Sequence, residues 1–311
     1  MPKDTYGDDY QFLPAEEYLT FAEIERLCRA AVRLGVAKLR LTGGEPLLRP
    51  NVATLIESLV AIDGIDDVAL TTNGLLLAQN AAQLREAGLQ RVTVSLDSLD
   101  PEVFATMNGL GLPLERVLEG VEAARQVGLT PIKLNAVVQR GVNDHTVVDI
   151  VRHFRHTGAA VRFIEYMDVG TLNRWDGGAV VPSAELVSAI SAVFPLEPVA
   201  AAYHGEVAER YRLRDGSGEV GFISSISQPF CGTCTRARLA TDGKLYTCLF
   251  SGIGTDLRPA LRRGANEGEL VSLLEGIWSR RDDRYSEERA QVADHVAQRA
   301  ARRVEMYQIG G

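Results

Sequence analysis

The 311-residue sequence lacks the features of several large classes of protein. It contains no run of 18 or more apolar residues, and no apolar stretch follows Met1–Pro2, so neither a membrane span nor an export signal is predicted. Its 33 Lys and Arg are outnumbered by 41 Asp and Glu, which gives a net charge of −8. A general nucleic-acid binder needs a basic surface. We therefore expect a cytoplasmic protein that binds neither membranes nor nucleic acid.

Cysteine is also scarce, and its distribution excludes a disulfide framework. Three of the four cysteines, Cys231, Cys234 and Cys248, lie close together, whereas Cys28 is far upstream. In a reducing cytosol, clustered cysteines bind metal more often than they bind each other. Cys28 falls on the apolar face of a helix predicted over residues 20–34, in which Thr20 and Glu23 form a capping box. It is therefore predicted to be a core residue and not a ligand.

Short β-branched runs alternate with helical patterns through the first two thirds of the chain. The predicted strands are residues 38–42, 68–72, 92–96, 132–137 and 161–165. Strands separated by helices in this way indicate βαβ units and a parallel sheet, either open or curved into a barrel.

Polar residues stand at the carboxyl ends of several of these strands. They are Thr42, Thr71 to Asn73, Ser95 with Asp97, and Glu165. Ligands bind at this edge of parallel α/β folds. Any one of these residues, taken alone, is also explained as a cap for the following helix. Their recurrence on successive strands favours a ligand-binding edge.

The alternation stops near Tyr203. Residues 208–225 predict a hairpin that turns at residues 215–218, and the charged segment 266–303 predicts a helical tail. We accordingly predict two domains, a partial barrel over residues 1–200 and a C-terminal domain over residues 201–311.

The three clustered cysteines supply one thiolate fewer than the four that close a structural zinc site or a fully ligated iron-sulfur cluster. They suit a [4Fe-4S] cluster with one iron left open for another ligand. A zinc site completed by His204 is the alternative.

Two arginines beside the cysteines suggest an anionic ligand. Arg236 and Arg238 alternate on a predicted strand and would point the same way, as two guanidiniums facing a phosphate chain do. Arg40 and Lys133, near the ends of two barrel strands, would add positive charge at the same mouth. Ordinary surface salt bridges are the alternative.

Several segments resemble one enzyme family. Leu41–Pro46 is similar to the GGEP segment of radical S-adenosylmethionine (SAM) enzymes, and residues 71–74, 95–100 and 162–167 are similar to later barrel segments of the GTP 3',8-cyclases. Residues 230–238, Cys248 and the final Gly310–Gly311 resemble the same family, so the likeness covers essentially the whole chain. The implied fold is an incomplete (β/α)6 TIM-like barrel, lacking its first strand here, with a C-terminal α+β domain that closes the barrel mouth.

The resemblance also implies roles for individual residues. SAM would be bound by Gly44, Glu45, Ser95 and Met167. GTP would be bound by Arg40, Thr71, Lys133, Arg236, Ala237 and Arg238. The C-terminal [4Fe-4S] cluster would be held by Cys231, Cys234 and Cys248, with its open iron on the guanine. Catalytic roles would fall to Arg162, Gly310 and Gly311.

The reaction implied is the conversion of GTP to (8S)-3',8-cyclo-7,8-dihydroguanosine 5'-triphosphate, which begins molybdenum cofactor biosynthesis. The family analogy further implies a homodimer that passes its product to the next enzyme of that pathway. Two other functions stay open at this point. They are another radical SAM enzyme with an auxiliary cluster and a non-catalytic GTP-binding remnant.

The sequence departs from the family pattern in one respect. The superfamily binds its reducing [4Fe-4S] cluster on a CxxxCxxC loop, and in this family Met-Pro follows the last of those cysteines, as Met1–Pro2 stands here. We therefore expect the chain as written to be inactive, while the C-terminal cluster and part of the GTP affinity persist.

Overall fold

The computed structural model describes residues 14–109, 111–170 and 175–292. Within them the α-helices are α1 (Phe21–Val32), α2 (Val52–Val60), α3 (Leu77–Glu86), α4 (Pro101–Asn108), α5 (Leu114–Gln126), α6 (Val147–Phe154), α7 (Ser183–Ser191), α8 (Arg258–Arg262), α9 (Glu267–Trp278) and α10 (Tyr285–Val292). The strands are β1 (Lys38–Leu41), β2 (Asp67–Thr72), β3 (Arg91–Ser95), β4 (Lys133–Val138), β5 (Ala160–Glu165), β6 (Leu196–Val199), β7 (Glu209–Leu213), β8 (Glu219–Ile223), β9 (Arg238–Leu239), β10 (Lys244–Tyr246) and β11 (Thr255–Asp256).

One large sheet organises the chain. Its eight strands follow the order β1-β2-β3-β4-β5-β8-β7-β6, and β1 to β5 are parallel neighbours in sequence order. Strand β8 pairs in parallel with β5, whereas β7 and β6 run antiparallel at the far edge. In the described part of the chain this sheet does not close on itself. This is the α/β fold of a partial TIM-like barrel, which confirms the predicted fold class.

The local predictions for the first helix and the hairpin are confirmed. Thr20 caps α1, and the reciprocal bonds between Thr20 and Glu23 are both present. Cys28 is partly buried and packs against the main core, where burial raises the pKa of its thiol to about 12. Strands β7 and β8 form the predicted hairpin. Because β8 also pairs with β5, the sheet continues past residue 200, and the domain boundary there stays a prediction.

Alternate residues of each strand point to the apolar core on one face of the sheet and to a polar surface on the other face. Leu70, Val94, Leu134 and Phe163 are buried beneath the helices in the main core. Because successive side chains of a strand point to opposite faces, their neighbours Thr71, Thr93, Lys133 and Arg162 lie on the other face. That polar face is the interior of the partial barrel.

The C-terminal part has its own small core and one departure from expectation. Leu27 of α1 packs with Leu257, Leu261 and Leu270, which join α8 and α9 to the barrel. The tail predicted as helical over 266–303 is interrupted, because α9 ends at Trp278 and α10 begins only at Tyr285. No helix in the described ranges is both long and apolar enough to cross a membrane.

Candidate active site

The loop after β1 is fixed by a buried carboxylate. Glu45 accepts hydrogen bonds from the Asn73 backbone N–H and the Thr72 hydroxyl, both at 2.8 Å, and from the Leu47 N–H at 3.1 Å. Burial raises the pKa of this carboxyl, while the three hydrogen bonds act against that rise. Gly43, in the same loop, has a φ of 130°, which few residues other than glycine adopt. The loop that includes Gly44 is therefore held against the carboxyl end of β2.

Deeper in the barrel, polar side chains from neighbouring strands line the interior. One Nη of Arg40 donates to the hydroxyls of Thr71 and Thr93, each at 2.9 Å. Thr93 is in register with Lys133 on β4. Arg162 follows on β5, and its Nε donates to the Asn135 side chain at 2.9 Å.

Because these cations repel one another, each disfavours the charged form of its neighbours. Burial, together with the charges of Arg162, Arg91 and Arg40, lowers the pKa of Lys133 to about 8. Burial, together with Arg40 and Arg91, lowers the pKa of Arg162 to about 10. Cations that lie close together and repel one another are stabilised by a polyanion bound between them. The interior is therefore suited to a phosphate chain.

Arg40 and Lys133 were expected near the ends of two barrel strands, at the same mouth as the cysteines. Arg40 is the penultimate residue of β1, and Lys133 is the first residue of β4, so both lie near a strand end, but at opposite ends. Both line the interior, because a barrel interior presents alternate side chains over the whole strand length. That they face the mouth beside the cysteines stays a prediction.

Sequence reasoning missed two further cations on the interior face. The Lys38 ammonium lies 3.8 Å from the centre of the Tyr203 ring. Arg91 forms a two-pronged ion pair with Asp67, in which Nε and Oδ1 are 2.9 Å apart. The alternation of side chains along a strand identifies both, because residues two apart point to the same face. Lys38 stands two residues before Arg40, and Arg91 stands two residues before Thr93.

The cysteine segment, residues 231–248, contributes three free, partly exposed thiols. The sulfur of Cys234 accepts from Nε and Nη2 of Arg236 at 3.3 Å, and the Phe250 N–H donates to the Cys248 sulfur at 3.5 Å. Hydrogen bonds to sulfur are a means by which proteins tune iron-sulfur clusters. Cys231 opens the short turn that leads to Cys234.

The three cysteines have two alternative metal chemistries, an iron-sulfur cluster and a zinc ion. In ranges 14–109, 111–170 and 175–292, no three His, Cys, Asp or Glu side chains lie close enough together to hold a metal ion in the arrangement shown. His204 does not complete such a group with the cysteines. The donor chemistry still distinguishes the two. Three thiols without a fourth protein ligand fit a cluster with one open iron and do not close a four-coordinate zinc site.

The two arginines beside the cysteines do not share one strand face, so that prediction is wrong. Strand β9 contains only Arg238 and Leu239, and Arg236 precedes it. The guanidinium of Arg236 turns to Cys234 and lies 5.2 Å from the Phe230 ring centre, because a thiol and an aromatic ring are its local partners. Burial and the charge of Arg236 lower the pKa of Arg238 to about 10. Ala237 lies between the two.

The remaining predicted site residues divide into three groups. Ser95 ends β3 with its side chain exposed, and Met167 follows β5 half-buried. Glu165 is fully buried and accepts the N–H groups of Ser183, Ile226 and Ser227, each at 2.8 Å, so it holds the fold together. Gly310 and Gly311 lie outside the described residues.

Comparison with known proteins extends over the whole chain. Residues 4–154 match the Radical SAM superfamily, and residues 159–287 match the family described as Molybdenum Cofactor Synthesis C. The chain is 53% identical over 311 residues to a GTP 3',8-cyclase of Xanthomonas campestris pv. campestris (strain B100), with all of this chain and 89% of that protein covered. It is 46% identical over 312 residues to a GTP 3',8-cyclase of Staphylococcus carnosus (strain TM300), with all of this chain and 91% of the relative covered.

A solved structure supports the fold alone. The structure of native anSMEcpe with bound AdoMet aligns with a TM-score of 0.53 at 14% identity and covers 79% of this chain and 70% of that one.

Proposed function

The chain belongs to the GTP 3',8-cyclase family of radical SAM proteins, and from that premise we propose that the complete gene product converts GTP to (8S)-3',8-cyclo-7,8-dihydroguanosine 5'-triphosphate in molybdenum cofactor biosynthesis. The observation that carries the proposal is the row of cations on the barrel interior, of which Lys133 and Arg162 have pKa values lowered to about 8 and about 10.

The cations bind the triphosphate of GTP. Arg40 and Thr71 are already hydrogen-bonded to each other, so the Arg40 side chain is held in place before the ligand arrives. Lys133 offers a donor from β4, and Arg238 adds a half-buried guanidinium from the cysteine segment. Charge-assisted hydrogen bonds of this kind stabilise phosphate more strongly than neutral ones do. Arg236 and Ala237 complete the contact with the nucleotide.

The cysteine segment binds the guanine. Cys231, Cys234 and Cys248 would hold a [4Fe-4S] cluster whose open iron takes a nitrogen or oxygen ligand from the base. The Phe250 N–H and the Arg236 guanidinium donate to the Cys248 and Cys234 sulfurs respectively. GTP is then fixed at both ends, at the triphosphate by the interior cations and at the base by the cluster.

The carboxyl edge of the sheet binds SAM at Gly44, Ser95 and Met167, with Glu45 fixing the loop that includes Gly44. When bound, SAM and a reducing [4Fe-4S] cluster would supply the radical that removes hydrogen from C3' of GTP. C3' would then bond to C8 of the guanine, and one electron from the reductant with one proton from solvent would convert the resulting purine radical to the dihydroguanosine. A primary alkyl radical needs no activation by the protein, so the protein residues contribute placement. Holding GTP at both ends leaves C3' facing the SAM site. Arg162, whose Nε donates to the Asn135 side chain, orients the nucleotide near the reacting carbon.

The complete gene product, reconstituted anaerobically with iron and sulfide, tests the proposal. It should consume GTP and SAM in the presence of reductant and form the cyclised nucleotide together with 5'-deoxyadenosine. Omission of SAM and replacement of GTP by ATP are the controls, and both should abolish the product. GTP binding without any cyclised product would instead indicate a non-catalytic nucleotide-binding protein. We further propose a cytoplasmic homodimer that passes its product to the next enzyme, which gel filtration and co-purification would examine.

A further inference from the structure

Helix α10 carries a buried cluster of side chains that connects three separate segments. Arg289 donates from Nε to the Asp168 carboxylate at 3.1 Å, and its Nη2 lies 3.0 Å from the same oxygen. The Tyr285 hydroxyl also bonds to Asp168. Arg289 Nη1 donates to the Ser225 carbonyl at 3.3 Å. The side chains of Arg289 and Asp168 are only 14% and 6% exposed, so this is an interior ion pair.

The same cluster contacts the segment after Cys248. The rings of Phe250 and Tyr285 stack with centres 4.7 Å apart, and the Arg289 guanidinium lies 5.2 Å from the Phe250 ring centre. The Phe250 N–H in turn donates to the Cys248 sulfur. One guanidinium therefore touches the residues after β5, those after β8 and the loop that follows Cys248.

Helix α10 also contacts the turn that contains Cys231 and Cys234. Glu287 accepts from the Gly232 N–H at 3.1 Å, within the turn from Cys231 to Cys234. The helix therefore contacts both cysteine-bearing segments through residues on its first turns. At the same time it is anchored to Asp168, which immediately follows Met167 of the proposed SAM site.

We propose that Arg289 is a positioning residue that sets the placement of the cysteine segment relative to the carboxyl end of β5. The inference rests on the proposed function and deepens it. If the guanine is bound at the cysteine segment and SAM beside Met167, the network of Arg289, Asp168 and Tyr285 determines how the two ligands face each other. Arg289 contacts neither ligand in this scheme.

The geometry explains why an arginine is needed. A planar guanidinium presents several donors in a fixed fork and also stacks on aromatic faces, whereas a lysine ammonium is a point charge on a flexible stem. Arg289→Lys keeps the positive charge opposite Asp168 but loses the bond to Ser225 and the guanidinium contact with Phe250. Displacement of a reacting group by about 1 Å costs up to about a hundredfold in rate.

The test compares Arg289→Lys with Arg284→Lys, in which the control arginine directly precedes the same helix, has a side chain that is 62% exposed and pairs at 3.5 Å with Glu287, a pairing that a lysine retains. The first measurement is hydrogen exchange of residues 247–252 in the reconstituted protein without substrates. Arg289→Lys should speed this exchange by about tenfold or more, because the loop loses its anchor. Arg284→Lys should leave it unchanged.

The second measurement is the ratio of 5'-deoxyadenosine to cyclised product, with kcat, KM for GTP and iron content determined alongside. In Arg289→Lys we expect kcat to fall by about tenfold or more and the ratio to rise, since misplaced substrate fails to capture the radical. Iron content and KM should stay near the wild-type values. Equal exchange and equal product ratios in the two variants would overturn the proposal.

A milder variant covers the case in which Arg289→Lys does not fold. Tyr285→Phe retains the stacked ring and removes only the hydroxyl bonded to Asp168. It should change exchange and product ratio in the same direction, and no change in either would also count against the proposal. A complete wild-type gene product without GTP turnover would refute the proposed function instead, and the exchange experiment would still decide the role of Arg289.

Discussion

Lys133 gives the proposed GTP site a pH dependence that can be calculated. Burial and the charges of Arg162, Arg91 and Arg40 hold the pKa of this ammonium at about 8, well below its ordinary value of 10.5. A bound triphosphate replaces repulsion by attraction and raises that pKa. Only the protonated form of Lys133 attracts phosphate. Affinity for GTP should therefore be full below pH 8 and fall as the pH rises through that value.

The magnitude follows from the fraction of protein that carries the proton. With a free pKa of about 8, the protonated fraction falls from about 0.9 at pH 7 to about 0.1 at pH 9, so GTP should bind about tenfold more weakly at pH 9. Binding at pH 9 should take up about 0.9 proton. Unfolding does not explain such a loss, because a lysine whose pKa is lower in the folded chain makes the ligand-free protein more stable as the pH rises from 8 toward 10.5.

Calorimetry in two buffers with different ionisation enthalpies measures both quantities. The matched control is Lys133→Arg, because a guanidinium stays protonated at pH 9 and keeps the positive charge. Its GTP affinity should change little between pH 7 and 9, and its proton uptake at pH 9 should be near zero. Identical pH profiles in the wild type and the variant would show that Lys133 does not bind the triphosphate. If Lys133 instead had the ordinary lysine pKa of 10.5, the wild type would also take up almost no proton on binding GTP at pH 9.

Four further results are expected. The cysteine segment around Cys231 should bind iron with acid-labile sulfide after anaerobic reconstitution, and stoichiometric zinc without sulfide would contradict the cluster. Arg238→Ala should weaken GTP binding by about 1.5–3 kcal/mol with SAM affinity retained, and an equal loss of both ligands would indicate misfolding. Glu165→Gln should lower the free energy of unfolding in urea by about 3 kcal/mol, because an amide nitrogen then faces buried N–H donors, and a loss below about 1 kcal/mol would show that water reaches the site. Removing Gly310 and Gly311 should abolish turnover with the melting temperature unchanged, and an active shortened protein would exclude a catalytic role for them.

The elements that the sequence predicted well are those whose signals are local. Strands β1 to β5 were located to within a residue or so because β-branched runs sit between amphipathic helices, and α1 because a capping box marks its start. Strand β6 was not predicted, since Pro198 in its middle argues against a strand. The structure explains the exception, because β6 is at the edge of the sheet and pairs only with β7, which leaves one side free of ladder bonds.

The interruption of the C-terminal tail shows what local sequence does not contain. Residues 279–284 include neither Gly nor Pro, and their charged composition suits a helix. Within this break Arg281 bonds to the Cys234 carbonyl and pairs with Asp283 at 3.5 Å. The partner of Arg281 lies 47 residues away in sequence. No pattern within the tail could have indicated that contact, and the same applies to Arg289 and Asp168.

The roles of the polar strand residues can be distinguished from two facts, which face of its strand each residue occupies and which residue it pairs with on the next strand. Thr71 and Thr72 are adjacent, yet Thr71 bonds to Arg40 in the interior while Thr72 bonds to Glu45. Thr71 is in register with Thr93, which places the interior face on β3 as well, and Thr93 is in register with Lys133 on β4. Once one interior residue is known, the pairing therefore assigns the others strand by strand. The cation row follows from the sequence only when the register is supplied, and the register is a property of the folded sheet.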